Sequence, residues 1–304
     1  MSNPWAADVE VTEELATRLI GDQFPALAQA SVEPFGSGWD NAAFLVDGRY
    51  VFRFPRRAIA VPLVARELAV LPTIAAAVPL AVPVPQFSGT AAHGYPWPFS
   101  GYERLAGTTA CSAALSGADR HGLAAPLGAF LRALHGVDTA PLVALGLPGD
   151  EIGRLDPRRL PQARERLAYL ESAGLIGRAA AYVAALERDA PRGATSPPVV
   201  AHGDLYARHL LVDGKRRLCG VIDWGDVHAG DRAVDVAVAW LVLPGSSHAS
   251  FLAAYGDVDE ATWRAARYRA IYHAALSAHY GAVARDDGML ASGLYALRTI
   301  GATI

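Results

Sequence analysis

The period of apolar and polar positions changes along this chain. Residues 11–30 alternate with a helical period and predict a leading helix. The stretch "VEPFGSGWDNAAFLVDGRYVFRFPRR" then alternates every second residue, and Asp47-Gly48 between its apolar runs marks a hairpin turn. Two strands joined by that turn are predicted, the first entered through a loop carrying Gly36 and Gly38. A helix over about 62–77 opens with Pro62, where a missing N–H is tolerated, and contains Glu67. "PVPQF" and "WPFSGYERLAG" read as further extended segments. From about residue 120 the period is helical over 121–135, 157–173, 175–189, 231–243, 248–255 and 260–284. One hairpin interrupts it: "LLV", a turn at Asp213-Gly214, then "LCGVID".

Strands first and helices afterwards indicate an α+β chain, because a doubly wound parallel sheet needs alternating βαβ units. The expected organisation is two-lobed: a small antiparallel-sheet lobe over 1–104 and a mainly helical lobe over 105–304, with the boundary near 103–110.

Composition narrows the class. The chain has 304 residues, 52% hydrophobic and 19% charged, which is the balance of a folded globular protein and not of a disordered one. A formal net charge of -3 provides no basic excess for a phosphate backbone, so nucleic acid is not an expected partner. The two cysteines, Cys111 and Cys219, lack a zinc-type spacing and suit a reducing compartment. "MSNPWAADVEVTEEL" is acidic where a signal peptide is basic. The longest apolar run is taken as "VDVAVAWLVLPG", about half of the roughly 20 residues that span a bilayer. A cytoplasmic protein without a membrane partner is expected, of unknown oligomeric state. Lys215 is the single lysine, so any other cationic site must use arginine.

The chemistry concentrates in "AHGDLYARHLLVDGKRRLCGVIDW", residues 201–224. Its hairpin puts Asp204 before the first strand and Asp223 at the end of the returning one, so both carboxylates emerge at the same end of a tight unit. One carboxylate can then hold a divalent metal while the other orients a hydroxyl or a water. A metal hydrolase using His202, Asp204, His209 and Asp223 as ligands, and a phosphoryl-transfer enzyme, are both compatible with this layout.

The run "HGDLYARHLLV…GVIDWGDVHAGDRAVDVA" resembles the aminoglycoside phosphotransferase family, small-molecule kinases with a protein-kinase-like fold. The likeness is close over 201–240 and looser but ordered over 35–105. The family motif HGDxxxxN followed by IDxxD is matched by His202, Gly203 and Asp204, then Asp223 and Asp226. The resemblance implies that Asp204 is the catalytic aspartate at the substrate hydroxyl and that Asp223 holds magnesium on the nucleotide phosphates. His209 stands where most members have asparagine, and resembles the HGDLxxxH pattern of the macrolide phosphotransferase branch. Imidazole is a poorer ligand than an amide oxygen for so hard an ion, so His209 is expected either to position Asp204 or to leave a second magnesium weakly bound. His202 is read as a packed loop histidine, Asp231 as a helix N-cap and Asp235 as a buried structural carboxylate. Asp226 is read as a metal neighbour or a turn cap.

Kinases anchor the nucleotide with a strand lysine paired to a helix glutamate. Here the resemblance puts Arg53 of "YVFRFPRR" in the lysine's place, paired with Glu67, and Arg56 and Arg57 are read as solvated. Gly36, Ser37 and Gly38 of "PFGSGWDN" form the candidate phosphate-covering loop. Residues 100–105, with Tyr102 and Arg104, are the candidate main-chain hinge for the base of ATP or GTP.

For the acceptor, residues 245–304 balance Asp257, Asp259, Glu260, Asp286 and Asp287 with Arg264, Arg267, Arg269, Arg285 and Arg298, leaving no acidic excess for a polycation. Phe251, Tyr255, Trp263, Tyr268, Tyr272, Tyr280 and Tyr295 suit either a large, partly apolar acceptor or a core. The resulting expectation is a magnesium-dependent kinase acting on a hydroxyl of a small molecule, by resemblance a macrolide- or aminoglycoside-type antibiotic. A metabolic alcohol as acceptor, or a pseudokinase lacking turnover, are the alternatives, the pseudokinase supported by the missing lysine and asparagine.

Overall fold

The computed structural model describes residues 7–38 and 40–304. They form two compact units. The first holds the residues up to Ala76, Ala81–Leu105 and Ala144–Gly146; the second holds Ala77–Leu80, Ala106–Val143 and Leu147–Ile304.

In the first unit, α1 (Glu13–Gln23) starts where the Thr12 side chain accepts the Leu15 N–H at 3.2 Å, and it buries the Ala16, Leu19, Ile20 stripe. It stops before residue 30 because Pro25 cannot extend an α-helix and opens a short 3₁₀ turn, Pro25–Leu27. Strands β1 (Val32–Ser37), β2 (Asn41–Val46), β3 (Tyr50–Pro55), β4 (Pro85–Gly89) and β5 (Phe99–Glu103) make one antiparallel sheet in the order β1-β2-β3-β5-β4. The Asp47-Gly48 turn joins β2 to β3, with φ of 51° and 64° at its two residues. The expected glycine loop is partly strand, since Gly36 pairs with Ala43 inside β1 and only Gly38 lies in the following turn. A bulge between Pro34 and Gly36 breaks the two-residue period there and hides the strand. Phe44, Phe52, Phe54, Tyr95 and Phe99 form the core with Leu19 and Ile20 of α1, and Phe54 stacks on Phe99 at 4.5 Å.

Helix α2 (Val61–Ala77) follows β3, with Pro62 in its first turn. The stretch Ala58–Ala77 is long and apolar enough to cross a bilayer, which the longest-run reading overlooked because Arg66 and Glu67 interrupt it.

In the second unit, β6 (Thr108–Thr109), β8 (Leu210–Val212) and β9 (Leu218–Val221) form a three-stranded antiparallel sheet, and β7 (Val199–Ala201) pairs with β10 (His228–Gly230). The helices are α3 (Gly117–Gly122), α4 (Ala124–His135), α5 (Thr139–Ala144), α6 (Leu160–Ser172), α7 (Ala179–Asp189), α8 (Ala233–Val236), α9 (Val238–Val242), α10 (His248–Tyr255), α11 (Glu260–Ala284) and α12 (Asp287–Gly301). Helices α10 and α11 have the expected limits, whereas the 231–243 stretch divides into α8 and α9. Helix α12 was not expected, because glycines interrupt its pattern and lower its intrinsic propensity. Close packing explains one of them: a Cβ on Gly293 would lie 2.5 Å from the Ala278 nitrogen of α11. Phe251, Tyr255, Tyr268 and Tyr272 are buried, so these four of the seven aromatics belong to the core.

Candidate active site

The loop between β7 and β8 is shaped from beneath. Asp235 of α8 is fully buried, and its carboxylate accepts the backbone N–H groups of His202 at 2.7 Å and Gly203 at 2.9 Å. His135 Nε2 lies 3.2 Å from the same carboxylate. Burial opposes ionisation of Asp235, but the His135 hydrogen bond and charge, the His202 field and the Gly203 amide outweigh it and bring the pKa down to about 2. His202 donates from Nε2 to the Ile222 carbonyl at 3.0 Å and accepts the Asp204 N–H on Nδ1 at 3.3 Å. Burial lowers its pKa and keeps the ring neutral. It is a packed loop histidine, and Asp235 is a buried structural carboxylate.

Gly203 has φ of 88°, and a Cβ there would come within 2.4 Å of the Asp226 carbonyl oxygen. Gly203→Ala is therefore expected to shift the loop, costing about 1–3 kcal/mol of stability. Chemical denaturation of the pure variant measures that loss.

Asp204 emerges from this loop with 27% of its side chain exposed. His273 Nε2–H donates to its Oδ1 at 3.1 Å, and Arg269 Nη2 stands 3.8 Å from the same oxygen. His209 Nδ1–H donates to the Asp204 carbonyl at 2.7 Å and lies 3.7 Å from Oδ2. Burial pushes the Asp204 carboxyl toward its neutral form, but the His273 hydrogen bond and the charges of His273, His209 and Arg269 hold it well below the ordinary carboxylate range. Burial pushes His273 down despite Asp204, which suits its role as an N–H donor, and Ser277 Oγ lies 3.3 Å from its Nδ1.

The hairpin brings Asp223 to the same region through His209, whose Nε2 lies 3.3 Å from Asp223 Oδ2. Burial disfavours charge on His209, yet the Asp223 hydrogen bond and the fields of Asp223 and Asp204 raise its pKa. Asp223 sits at φ of 64° with 48% of its side chain exposed. Among the described residues, no three His, Cys, Asp or Glu side chains form a ready-made metal cage. The Asp223 oxygens nevertheless suit a hard ion that completes its shell with phosphate oxygens and water, whereas the His209 nitrogen, engaged with Asp223, does not.

Asp226 has a neighbour that the sequence did not suggest: Arg154 Nη2 contacts its Oδ1 at 2.6 Å. Arg154 also binds Asp150 at 2.6 Å and donates from Nε to the Gly203 carbonyl at 2.9 Å, tying the two motif segments together. Asp231 accepts the Ala233 N–H at 2.9 Å just ahead of α8 and holds Thr195 Oγ1 at 2.8 Å. Arg154, Arg269 and His273 escaped sequence reading because their partners in the two motif segments are 49 to 72 positions away. The four-residue spacing of Arg269 and His273 was the available cue, and it marks only a shared helix face.

Within the first unit, Arg53 Nη1 contacts Glu67 Oε1 at 2.9 Å and Oε2 at 3.1 Å, with both side chains largely buried. Arg56 and Arg57 are not simply solvated. Arg57 pairs with Asp40 at 3.1 Å and Arg56 donates to the Gly38 carbonyl at 3.3 Å, so both brace the turn after β1. The Gly38 amide bonds the Asn41 carbonyl at 2.9 Å, and the space over Gly36 is open. The Ser37 side chain and Trp39 of the expected loop lie outside the described residues. Tyr102 pairs with Val51, and the Arg104 amide bonds the Arg49 carbonyl at 2.7 Å while its guanidinium lies over Phe35 at 5.3 Å.

Comparison with known proteins places this geometry. The profile of the phosphotransferase enzyme family matches residues 31–269. No curated protein matches the chain. Among solved structures, the GDP complex of wild-type aminoglycoside 2'-phosphotransferase-IIIa aligns with a TM-score of 0.69 at 24% identity, covering 95% of this chain and 98% of that one. The apoenzyme of macrolide 2'-phosphotransferase MphH from Brachybacterium faecium aligns at 0.58 and 21% identity, covering 94% and 97%. ADP-bound aminoglycoside phosphotransferase APH(2'')-Ib aligns at 0.57 and 20% identity, covering 95% and 98%. With a family profile matched across most of its length and this kinase-like fold of an antiparallel-sheet unit and a helical unit, the chain belongs to the phosphotransferase enzyme family.

Proposed function

We propose that this phosphotransferase is a magnesium-dependent kinase that moves the γ-phosphoryl group of ATP or GTP to a hydroxyl of a small molecule. The observation that carries this reading is Asp204: a partly exposed carboxylate held ionised by His273, Arg269 and His209. An ionised carboxylate can accept the hydrogen of an acceptor hydroxyl as its oxygen attacks the γ-phosphorus. The new O–P bond forms as the bond to the nucleoside diphosphate breaks, and the hydroxyl proton passes to Asp204.

Magnesium would be held by Asp223 and would supply charge neutralisation at the phosphates. His209 is assigned to positioning, through the Asp204 carbonyl and the Asp223 carboxylate. Residues 1–104 form the nucleotide lobe, with Arg53, kept in place by Glu67, and the backbone around Gly36, Ser37 and Gly38 facing the phosphates. The base pairs with main-chain groups of 100–105. Because the Arg104 amide is engaged with the Arg49 carbonyl just before β3, Glu103 and Leu105 are the better donors and acceptors within that segment. Residues 105–304 carry the catalytic loop and the acceptor site, in a cytoplasmic enzyme.

The names of the neighbours make antibiotics of the macrolide and aminoglycoside types the first acceptors to test. One observation favours a metabolic alcohol as a second reading: Asp204 is already faced by Arg269 and hydrogen-bonded by His273, so a polycationic acceptor finds its charge partly engaged. Transfer of radiolabelled γ-phosphate from ATP and from GTP, with magnesium, to macrolides, aminoglycosides and simple alcohols decides. Labelled product establishes the kinase and its acceptor class, and tight nucleotide binding without transfer to any of them favours the pseudokinase.

Arg53→Ala is expected to raise the KM for nucleotide by about ten-fold or more, by removing a fixed cation from the buried Glu67 carboxylate. Unchanged nucleotide affinity and turnover in steady-state kinetics would return Arg53 to a structural role.

A further inference from the structure

The arginines around Asp204 and Tyr272 differ in the carboxylates they face. Arg269 is buried between Asp204 and the fields of Arg154 and Arg159. Arg154 is matched by Asp150 and Asp226. Arg159, just before α6, and Arg166, two turns along it, form no ion pair: among the described residues neither has a carboxylate within 4.0 Å, and the charge of Arg159 is felt by Asp156 beyond that distance. Both guanidinium groups sit against the ring of Tyr272 from α11, at 5.7 Å and 5.3 Å from its centre.

The two arginines differ in what they already hold. Arg159 donates to the carbonyls of Gly153 at 2.9 Å and Ile152, and its Nη1 is 3.5 Å from the Tyr272 hydroxyl, which also bonds Gln162 Oε1 at 2.8 Å. Arg166 Nη1 is buried without a hydrogen-bond partner. A buried donor left unpaired beside a second guanidinium is destabilising, through both desolvation and like-charge repulsion. An oxyanion placed between the two would remove both penalties and match the planar fork of arginine. Tyr272 already leans on both: burial raises the pKa of its hydroxyl, but hydrogen bonding and charge from Arg166 and then Arg159 lower it overall.

We infer that the acceptor is an anionic alcohol, bearing a carboxylate, phosphate or sulfate group that docks on Arg166 and Arg159 of the α6 face while its hydroxyl reaches Asp204. The inference rests on the phosphotransfer reading for the hydroxyl end only. The anion contact stands on Arg166, Arg159 and Tyr272 by themselves.

A charge-matched series tests it on the intact enzyme: glucuronate, glucose and glucosamine, with kanamycin and erythromycin alongside. Binding is followed by calorimetry with nucleotide and magnesium present, and transfer with labelled ATP. Wild-type protein is expected to bind glucuronate about ten-fold or more tightly than glucosamine. Arg166→Gln is expected to remove most of that preference, and Arg166→Lys, which keeps the charge, to retain part of it. A wild-type preference for glucosamine or kanamycin, or a glucuronate preference unchanged in Arg166→Gln, overturns the inference. Selective glucuronate binding with no transfer to any compound supports the anion site and counts against the phosphotransfer reading, so the two failures are distinguishable.

Discussion

Asp204→Asn is expected to reduce phosphoryl transfer by roughly 10³-fold while leaving nucleotide affinity within about two-fold. The amide is nearly isosteric with the carboxylate but cannot take the hydroxyl proton. It also loses the negative charge that Arg269 faces at 3.8 Å and accepts the His273 N–H less strongly at 3.1 Å. The effect should fall on kcat, because Asp204 acts on the reacting hydroxyl and not on the nucleotide. Single-turnover transfer and nucleotide titration on the same preparation separate the two quantities, and retained turnover would remove Asp204 from its role. His273→Phe, by contrast, should leave the carboxylate in place but lower the rate by a smaller factor, since it removes a positioning hydrogen bond only.

Asp235→Ala is expected to cost about 3–5 kcal/mol of folding stability, the largest loss anticipated for a single change in this chain. The substitution leaves the amides of His202 and Gly203 without their buried acceptor and removes the carboxylate that His135 contacts. The catalytic loop loses its support together with the fold, so turnover should fall as well. The same carboxylate gives a pH signature. Its pKa is about 2 in the folded protein against 3.8 ordinarily, so its contribution is fully present above about pH 4 and is lost as pH falls toward 2. That contribution amounts to about 2 kcal/mol. Urea unfolding between pH 2 and pH 5 should show this acid loss in the wild-type protein and a shallower dependence in Asp235→Asn. Identical profiles would mean that other carboxylates carry the acid sensitivity.

The local chain determined a good deal. The two-residue period of 41–55 and its Asp-Gly turn specify a hairpin, and the long helical periods specify α10 and α11 to the residue. The adjacency of Asp204, His209 and Asp223 was legible too, because a tight hairpin closes over few residues and its geometry is local. Burial of His202 and Asp235 could be read from their apolar surroundings in sequence. Helix α12 and the strand character around Gly36 were not legible. Glycine and a bulge erase the local period at those places, and what replaces it is contact with a distant element, as between Gly293 and Ala278.

The sequence by itself determined the order of strands and helices, the motif carboxylates and the lack of acidic excess in 245–304, all of which depend on neighbours in the chain or on sums over it. Only the tertiary structure decided that Asp204 is gripped by His273 and Arg269, that Asp226 pairs with Arg154, and that Arg159 and Arg166 share Tyr272 with no ion-paired carboxylate among the described residues. Each of those contacts joins elements dozens of residues apart, and the sign of the charge around a site is set by which side chains packing brings together.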